Sequence, residues 1–105
     1  MNLIHIRSKS KAQINEIVDL LLEENLILDP TILEQVYLRE KNQNGAFENE
    51  KQFLLIAKAR ALLFSKIEYL LEEKYGNKMP DLYSLPIVNM DWKKAESLQK
   101  VEEQH

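Results

Sequence analysis

Basic side chains gather where the first predicted strand leads into the first predicted helix. Arg7, Lys9 and Lys11 alternate there with two serines, and two further cations end the third predicted strand. Free amide groups at a helix N-terminus favour an anion, so this region could hold a phosphate or a carboxylate, and a cleft between subunits would bring its groups together. Solvated charge at strand ends is the alternative interpretation. The candidate ligand-binding residues are Arg7, Lys9, Lys11, Lys58, Arg60 and Tyr75.

The sequence offers poor ligands for copper or zinc. It contains no cysteine, and its two histidines, His5 and His105, lie on separate elements with no spacing that would converge on one ion. His5 is expected to have a structural role. Acidic groups such as Asp29, Glu34 and Glu40 could take a hard cation only if several oxygens met across a subunit boundary. We predict neither a metal site nor a cofactor.

Catalytic motifs do not occur in the sequence. Two glycines cannot build a P-loop or a GxGxxG turn, and there is no GxSxG nucleophile elbow. Paired glutamates such as Glu72 and Glu73 point apart on a helix and fit a solvated surface better than general acid–base catalysis. We therefore predict no catalytic residues and a protein that is not an enzyme.

Length and composition indicate one globular domain, residues 1–105. The chain is 45% hydrophobic and 30% charged, which suits a modest core. Its net charge is −3, with 14 basic and 17 acidic residues, so neither nucleic acid nor a membrane is an expected partner. The first residues lack a signal-peptide pattern, and no apolar run reaches the roughly 20 residues that span a bilayer. The expected location is the cytoplasm.

A strand and a helix are predicted at the start of the chain. Apolar residues alternate from Leu3 to Arg7, which indicates the strand. Ser10 is the predicted N-cap of a helix that runs through Glu24. The apolar stripe of this helix should face a sheet. It consists of Ile14, Ile17, Val18, Leu21 and Leu22.

A hairpin is predicted in the middle of the chain. Asp29-Pro30 reads as a reversal into a second strand, Ile32 to Glu40. The pair Asn44-Gly45 accepts positive φ at both central positions of a type I′ turn, so a third strand should return beside the second. This strand, Gln52 to Ala59, has apolar residues on both faces and should be central or at an interface.

A second helix and a fourth strand follow. The helix runs from about Leu62 to Tyr75, and Gly76 can end it in the left-handed conformation. Leu82 to Val88 predicts the strand, in which Pro86 cannot donate to a ladder and so favours an edge or a bulge. A short C-terminal helix is predicted from about Asp91 to Val101. The apolar face of the second helix consists of Leu63, Ile67, Leu70 and Leu71.

The order of these elements predicts the α+β class. Strand, helix, strand, strand, helix, strand is the split βαβ, ferredoxin-like plan, in which two helices cover one face of a four-stranded antiparallel sheet. The second face and the sheet edges then need cover, which a closed oligomer supplies. We expect core or interface positions for Phe53, Leu54, Leu55, Ile56, Tyr83, Leu85 and Ile87.

Two stretches of the second half carry a family resemblance. LLIAK at Leu54 to Lys58 is followed by an amphipathic helix and then by MPDLYSLPI at Met79 to Ile87. This sequence resembles the C-terminal half of the CutA-like divalent-cation (copper) tolerance proteins, with their LLIIKT strand and VPEIIALPI segment. Leu21 to Leu26 and Val36-Tyr37 are similar to the family's LVEERLAAC and IYRW segments. The resemblance implies a trimer in which three sheets pack around a threefold axis.

Departures from the family pattern fall on its favoured metal ligands. Leu28-Asp29-Pro30 stands where the family has a cysteine, and Tyr75 stands where it has the histidine of HPYEVP. Soft copper sites need thiolate, thioether or imidazole groups. Two functions follow. One is a CutA-like homotrimer in divalent-cation tolerance or the response to metal ions. The other is a PII-like, non-enzymatic signalling module that binds a small anionic ligand between subunits.

Overall fold

Four antiparallel strands form one sheet in the computed structural model, and two α-helices cover one of its faces. The structure describes residues 1–88. The strands are β1 (Asn2–Ser8), β2 (Leu28–Lys41), β3 (Phe47–Ala59) and β4 (Asp81–Pro86). The helices are α1 (Lys11–Glu23) and α2 (Phe64–Tyr75), and short 3₁₀ turns occupy Ala61–Leu63 and Gly76–Lys78. The predicted ferredoxin-like plan is confirmed.

The strand order in the sheet is β2-β3-β1-β4, and each neighbouring pair is antiparallel. β1 and β3 are central, as the two-sided apolar pattern of the third strand predicted. Ser8 at the end of β1 lies opposite Phe53 of β3. β4 pairs with β1 alone among the described strands, and its last residue, Pro86, lies opposite Asn2. The predicted edge position of this proline is therefore confirmed.

Helix α1 begins at its predicted cap. The Ser10 hydroxyl accepts a hydrogen bond from the backbone N–H of Gln13 at 3.1 Å, which satisfies an amide that has no partner inside the helix. Four residues of the predicted stripe are buried. The expectation for Leu22 was wrong: this residue is 43% exposed, because it lies about 40° beyond Val18, outside the arc of the buried stripe.

The helix-covered face of the sheet carries the core. Apolar side chains of β1 and β3 pack there against both helices and the segment that follows α1. These thirteen buried residues are Ile4, Ile6, Ile14, Ile17, Val18, Leu21, Leu26, Ile27, Leu55, Ala57, Ala59, Ile67 and Leu71. The other two residues of the predicted face of α2, Leu63 and Leu70, are partly buried against this core.

The chain reverses earlier than the sequence predicted. Asn25, with φ 56°, follows the last turn of α1, where its N–H donates to Leu22 and the N–H of Leu26 donates to Leu21. This is a Schellman C-cap. Asp29 and Pro30 lie inside β2, at a register shift where one extra residue is accommodated. A bulge on an edge strand tolerates a proline because no ladder bond is lost there.

The β2–β3 hairpin is confirmed, but its predicted type I′ turn is wrong. The N–H of Gly45 donates to the carbonyl of Asn42, and only Gly45 of the central pair has positive φ, at 83°. This is a type I turn followed by a glycine bulge. The Asn42 side chain favours it, since Oδ1 accepts from the N–H groups of Asn44 and Ala46 at 2.9 Å each.

Helix α2 ends at a glycine, as predicted. Gly76 has φ 56°, and its N–H donates to the carbonyl of Glu72. Its ψ of −122° lies outside the predicted left-handed helical region. A residue with a Cβ rarely adopts such a conformation, so glycine is the residue that suits this exit from the helix.

The second face of the sheet, which we call the open face, has no cover among residues 1–88. Side chains alternate along a strand, so the residues between the buried positions of β1 and β3 point to this face. It carries Leu3, His5 and Arg7 from β1, Leu54, Ile56 and Lys58 from β3, Leu33 from β2, and Tyr83 and Leu85 from β4. Leu33, Tyr83 and Leu85 are 39%, 44% and 46% exposed. Large apolar side chains therefore meet solvent in a single subunit.

Strands β2 and β3 continue past β1 as a two-stranded arm, residues 34–52. The third strand was predicted to start at Gln52 but starts at Phe47, because cross-strand pairing extends it. The guanidinium of Arg39 lies 5.2 Å from the centre of the Phe47 ring and donates to Asn49 at 2.9 Å. These contacts fix side chains along the arm while Phe47 stays largely exposed.

Two other expectations concern a C-terminal helix and membrane-spanning segments. The predicted C-terminal helix, from about Asp91 to Val101, lies outside the described residues. Neither α1 nor α2 has the length and apolar character that crossing a bilayer requires, and the described part of the chain has no other helix that does.

Candidate functional site

A wide cleft lies where β1 leads into α1. Its walls come from the start of α1, the base of the arm and the segment between α2 and β4, and its volume is about 860 Å³. Most of its lining side chains are polar, and six of them could contact a ligand. These are Arg7, Lys9, Gln13, Glu50, Tyr75 and Asp81. Three of the six predicted ligand residues, Arg7, Lys9 and Tyr75, therefore share this cleft.

The two cations in the cleft are paired with carboxylates. Arg7 Nη2 donates to Asp81 Oδ2 at 3.0 Å, and Lys9 Nζ lies 2.6 Å from Glu50 Oε1. The hydrogen bond and the negative charge of Glu50 raise the pKa of Lys9. The Nε of Arg7 is buried and makes no hydrogen bond within residues 1–88. An anion in this cleft would have to compete with carboxylates for both cations.

Lys11 pairs with the arm. Its Nζ lies 2.8 Å from Oε1 of Glu34, and both side chains are more than half exposed. The hydrogen bond from Lys11 and its positive charge lower the pKa of Glu34. Exposed ion pairs of this kind contribute little to stability, so this contact alone does not hold the arm against α1.

The other two predicted cations lie at the opposite end of the sheet. Lys58 is opposite Leu3, at the start of β1, and its Nζ pairs with Asp29 Oδ2 at 3.1 Å. Together with Arg60, Lys58 lines a small pocket of about 10 Å³ beside Met1. Such a volume holds at most one water molecule. One subunit does not bring the six predicted residues together, because β1 and β3 are antiparallel and the end of one meets the start of the other.

Tyr75 connects the two helices at the cleft. Its hydroxyl donates to Glu16 Oε1 at 2.9 Å. Desolvation, with a smaller contribution from the bond to Glu16, raises the pKa of Tyr75 to about 12. The phenol is therefore neutral and held in place at physiological pH.

Sequence reasoning missed Gln13, which organises the back of the cleft. Its Oε1 accepts from the Ser8 hydroxyl, and its Nε2 donates to the backbone carbonyl of Lys78 at 2.9 Å. The side chain thus joins β1, α1 and the turn before β4. A signal existed, since Ser10 and Gln13 have the spacing of a capping box. The Ser10 N–H, however, donates to Ser8 Oγ at 3.0 Å.

His5 lies outside the cleft, on the open face. Its Nδ1 is 3.1 Å from the hydroxyl of Tyr83, the residue opposite it on β4, and the two ring centroids are 5.0 Å apart. This placement agrees with the structural role expected from the sequence. His5 and Tyr83 thus form a hydrogen-bonded pair of rings on the open face.

Comparisons by sequence give no family: no protein-family model matches the chain, and no curated protein does either. Comparison of structures gives a different result. The divalent cation tolerance protein Cut A1 of Thermus thermophilus superposes with a TM-score of 0.75 at 21% identity, over 91% of this chain and 93% of that one. This chain has the CutA1 fold.

Other CutA1 structures agree. A structure described as the periplasmic divalent cation tolerance protein CutA of Archaeoglobus fulgidus gives a TM-score of 0.77 at 20% identity, over 95% of this chain and 96% of that one. CutA1 of Pyrococcus horikoshii gives 0.78 at 17% identity, over 96% and 97%. The resemblance read from the sequence is confirmed at the level of the fold, which matches CutA1 along almost the whole chain.

The CutA1 fold in this chain does not carry a ready metal centre in the part that the structure describes. No group of three or more histidine, aspartate or glutamate side chains within residues 1–88 is close enough to hold one ion. Asp29 and Glu34, considered as hard-cation ligands, are paired with Lys58 and Lys11. The side chains of residues 1–88 in one subunit therefore do not fit a copper or zinc ion.

Proposed function

We propose that this chain is a CutA-like protein that acts in divalent-cation tolerance as a homotrimer. The observation that carries the proposal is the fold: TM-scores of 0.75 to 0.78 to solved structures of CutA and CutA1 proteins, over 91% to 96% of the chain. Because one fold can serve several functions, the role in cation tolerance needs its own test.

The open face supports the trimer. Leu33, Tyr83 and Leu85 are each more than a third exposed on one sheet face. Burial of apolar surface is worth roughly 25 cal/mol per Å², so packing this face against other copies is favourable. The outer edges of β2 and β4, which pair with no further strand among residues 1–88, would gain backbone partners in the same assembly. A single mass of one subunit by light scattering at micromolar concentration would exclude the trimer.

Cation tolerance can be tested by growth. A bacterium that lacks its own CutA should regain growth on raised copper, zinc or cobalt when it expresses this chain. The matched control is Leu85→Glu, which places a charge on the open face and should abolish rescue if the assembled protein is the active form. Absence of rescue by the wild-type chain, at an expression level confirmed by blotting, would contradict the proposed role.

The role is proposed without tight metal coordination by one subunit. Copper and zinc should bind weakly and without defined stoichiometry, because the carboxylates that could act as ligands are already paired with lysine or arginine side chains. Calorimetry on tag-free protein measures this directly. Saturable submicromolar binding of one ion per subunit or per trimer would show a metal site that this reasoning missed and would contradict the expected weak binding.

The cleft favours a second candidate, a PII-like module that binds a small anionic ligand. Arg7 and Lys9 line a cleft large enough for such a ligand. The paired carboxylates oppose this candidate. Inorganic phosphate and citrate at low ionic strength are suitable probes in a thermal-shift assay, and binding should weaken as salt is added.

Variants sharpen this assay. Lys9→Ala should remove any stabilisation by the anions, whereas Lys66→Ala, the same change on the exposed side of α2, should leave it intact. Equal melting temperatures with and without the anions would leave Arg7, Lys9, Lys11, Lys58, Arg60 and Tyr75 as solvated or structural groups.

Two further parts of the proposal concern chemistry and location. We propose a non-enzymatic role, since both candidate functions act by binding. The cytoplasm is proposed as the location from the sequence, although the Archaeoglobus structure is described as a periplasmic protein. Cell fractionation of the native organism, with marker proteins for each compartment, decides between the two.

A further inference from the structure

The open face contains one imidazole among residues 1–88, that of His5. His5 alternates along β1 with Ile4 and Ile6, which are fully buried under the helices, so its imidazole projects on the opposite side. Its neighbours there are Ile56 on β3 and Tyr83 on β4. The imidazole therefore sits within the apolar surface that we assign to assembly.

The other charges on this face balance one another. Arg7 of β1 pairs with Asp81 of β4 at 3.0 Å, and Lys58 of β3 pairs with Asp29 of β2 at 3.1 Å. These two pairs are neutral in sum. A proton on His5 would add one net positive charge to the face, two residues along β1 from Arg7.

We propose that His5 makes assembly of the open face sensitive to acid, so that the protein assembles near neutral pH and separates into subunits as the pH falls. The inference rests on the proposed trimer. Histidine is the side chain whose charge ordinarily changes between about pH 5 and pH 8. A charge buried in an apolar interface is costly unless it is paired, so the assembled form disfavours the proton that the separate subunit accepts.

The direction of the effect follows from proton binding. Separate subunits bind more protons than the assembly, so acid favours separation and alkali favours assembly. The hydroxyl of Tyr83 can donate to an unprotonated Nδ1 at 3.1 Å. When Nδ1 gains a proton, this hydroxyl must become the acceptor, and it supplies no negative charge to the imidazolium.

The test is the subunit mass by light scattering over a dilution series, at about pH 7.5 and about pH 5.5. His5→Gln keeps a polar group of similar size that cannot gain a charge in this range. The chain offers a matched control, because its other histidine, His105, can take the same substitution. We expect the lower pH to weaken assembly of the wild type and of His105→Gln. The association constant should fall on the order of tenfold for each His5 that assembly buries.

His5→Gln should assemble equally well at both pH values. The inference is overturned if the wild type assembles with the same affinity at both values, or if His5→Gln keeps the full pH dependence. A wild type that is a single subunit at both values would overturn the proposed trimer instead, which is a different result. If His5→Gln does not fold, the proton count from the wild-type pH series, about one per subunit, still decides.

Discussion

The two faces of the sheet are built from the same strands but have opposite chemistry. On the helix-covered face, Ile4, Ile6 and Leu55 are completely buried. On the open face, Tyr83 and Leu85 are almost half exposed, and a histidine and two ion pairs lie among the leucines. The covered face is buried by the folding of one chain, whereas the open face is the one that we propose to pack between subunits.

With the proposed trimer, this difference means that substitutions can change folding and assembly separately. A residue and its neighbour on the same strand, such as Ile6 and His5, contribute to different equilibria because side chains alternate between the faces. The following predictions test this separation, in order of decreasing effect.

Leu55→Ala should cause the largest loss, about 2–5 kcal/mol of unfolding free energy, because it leaves a cavity in the fully buried face. Urea denaturation followed by circular dichroism, at equal protein concentrations, measures this loss. Leu33→Ala, on the open face, is the matched control and should cost the isolated subunit much less. Equal losses for the two variants would mean that the faces are not energetically distinct.

Leu85→Glu should leave the subunit folded and abolish assembly, because it puts an unpaired charge on the open face. Light scattering should give the mass of one subunit, while the far-ultraviolet circular dichroism spectrum keeps its helical content. Leu62→Glu is a matched control, since Leu62 is 83% exposed in the 3₁₀ turn before α2. An assembled Leu85→Glu protein would show that the open face is not the interface.

Ser10→Ala should lower the unfolding free energy by about 1 kcal/mol, because it removes the bond that the Ser10 hydroxyl accepts at the start of α1. The loss should appear in subunit folding, since α1 covers the buried face, and not in the subunit mass. Ser65→Ala, in the first turn of α2, removes a hydroxyl that does not cap its helix and should change stability little. A change in mass would contradict this assignment.

Tyr75 should ionise later than an ordinary tyrosine. Its pKa is raised to about 12 by desolvation and by Glu16, so the neutral phenol is favoured in the folded protein. Its stabilising contribution is therefore complete below about pH 10 and is lost between about pH 10 and pH 12. A spectrophotometric titration should show a late phenolate component from Tyr75. Tyr75→Phe should remove that component, and a late component that persists would assign it elsewhere.

Element order could be predicted from the sequence because periodicity and caps are local signals. The alternation of Leu3 to Arg7 and the Ser10 cap depend only on neighbouring residues, and both are confirmed. The turn type was predicted wrongly because the Asn42 side chain accepts hydrogen bonds from the N–H groups of Asn44 and Ala46. These bonds favour a type I turn with a glycine bulge over a type I′ turn. Asn44-Gly45 alone did not determine the turn type.

The candidate site was harder to predict because it depends on contacts between distant residues. Lys58 and Arg60 were grouped with Lys9, although the predicted split βαβ plan already places β3 antiparallel to β1. The plan itself therefore contained the signal that separates them. The carboxylate partners of the cations, Asp81 and Glu50 in the cleft, lie 74 and 41 positions away from Arg7 and Lys9 and have no local signature.

The arm affects how the protein diffuses. From the Val36 to Gln52 pair to the turn, six ladder pairs extend past the body of the sheet, and about 3.3 Å for each residue gives a projection on the order of 20 Å. The molecule measures 52 × 30 × 20 Å. A rod-like outline of this kind experiences more friction than a sphere of equal mass, so elution from a column calibrated with globular standards would overstate the particle weight. Scattered intensity depends on mass and not on drag, and for that reason it is the measurement that can count subunits.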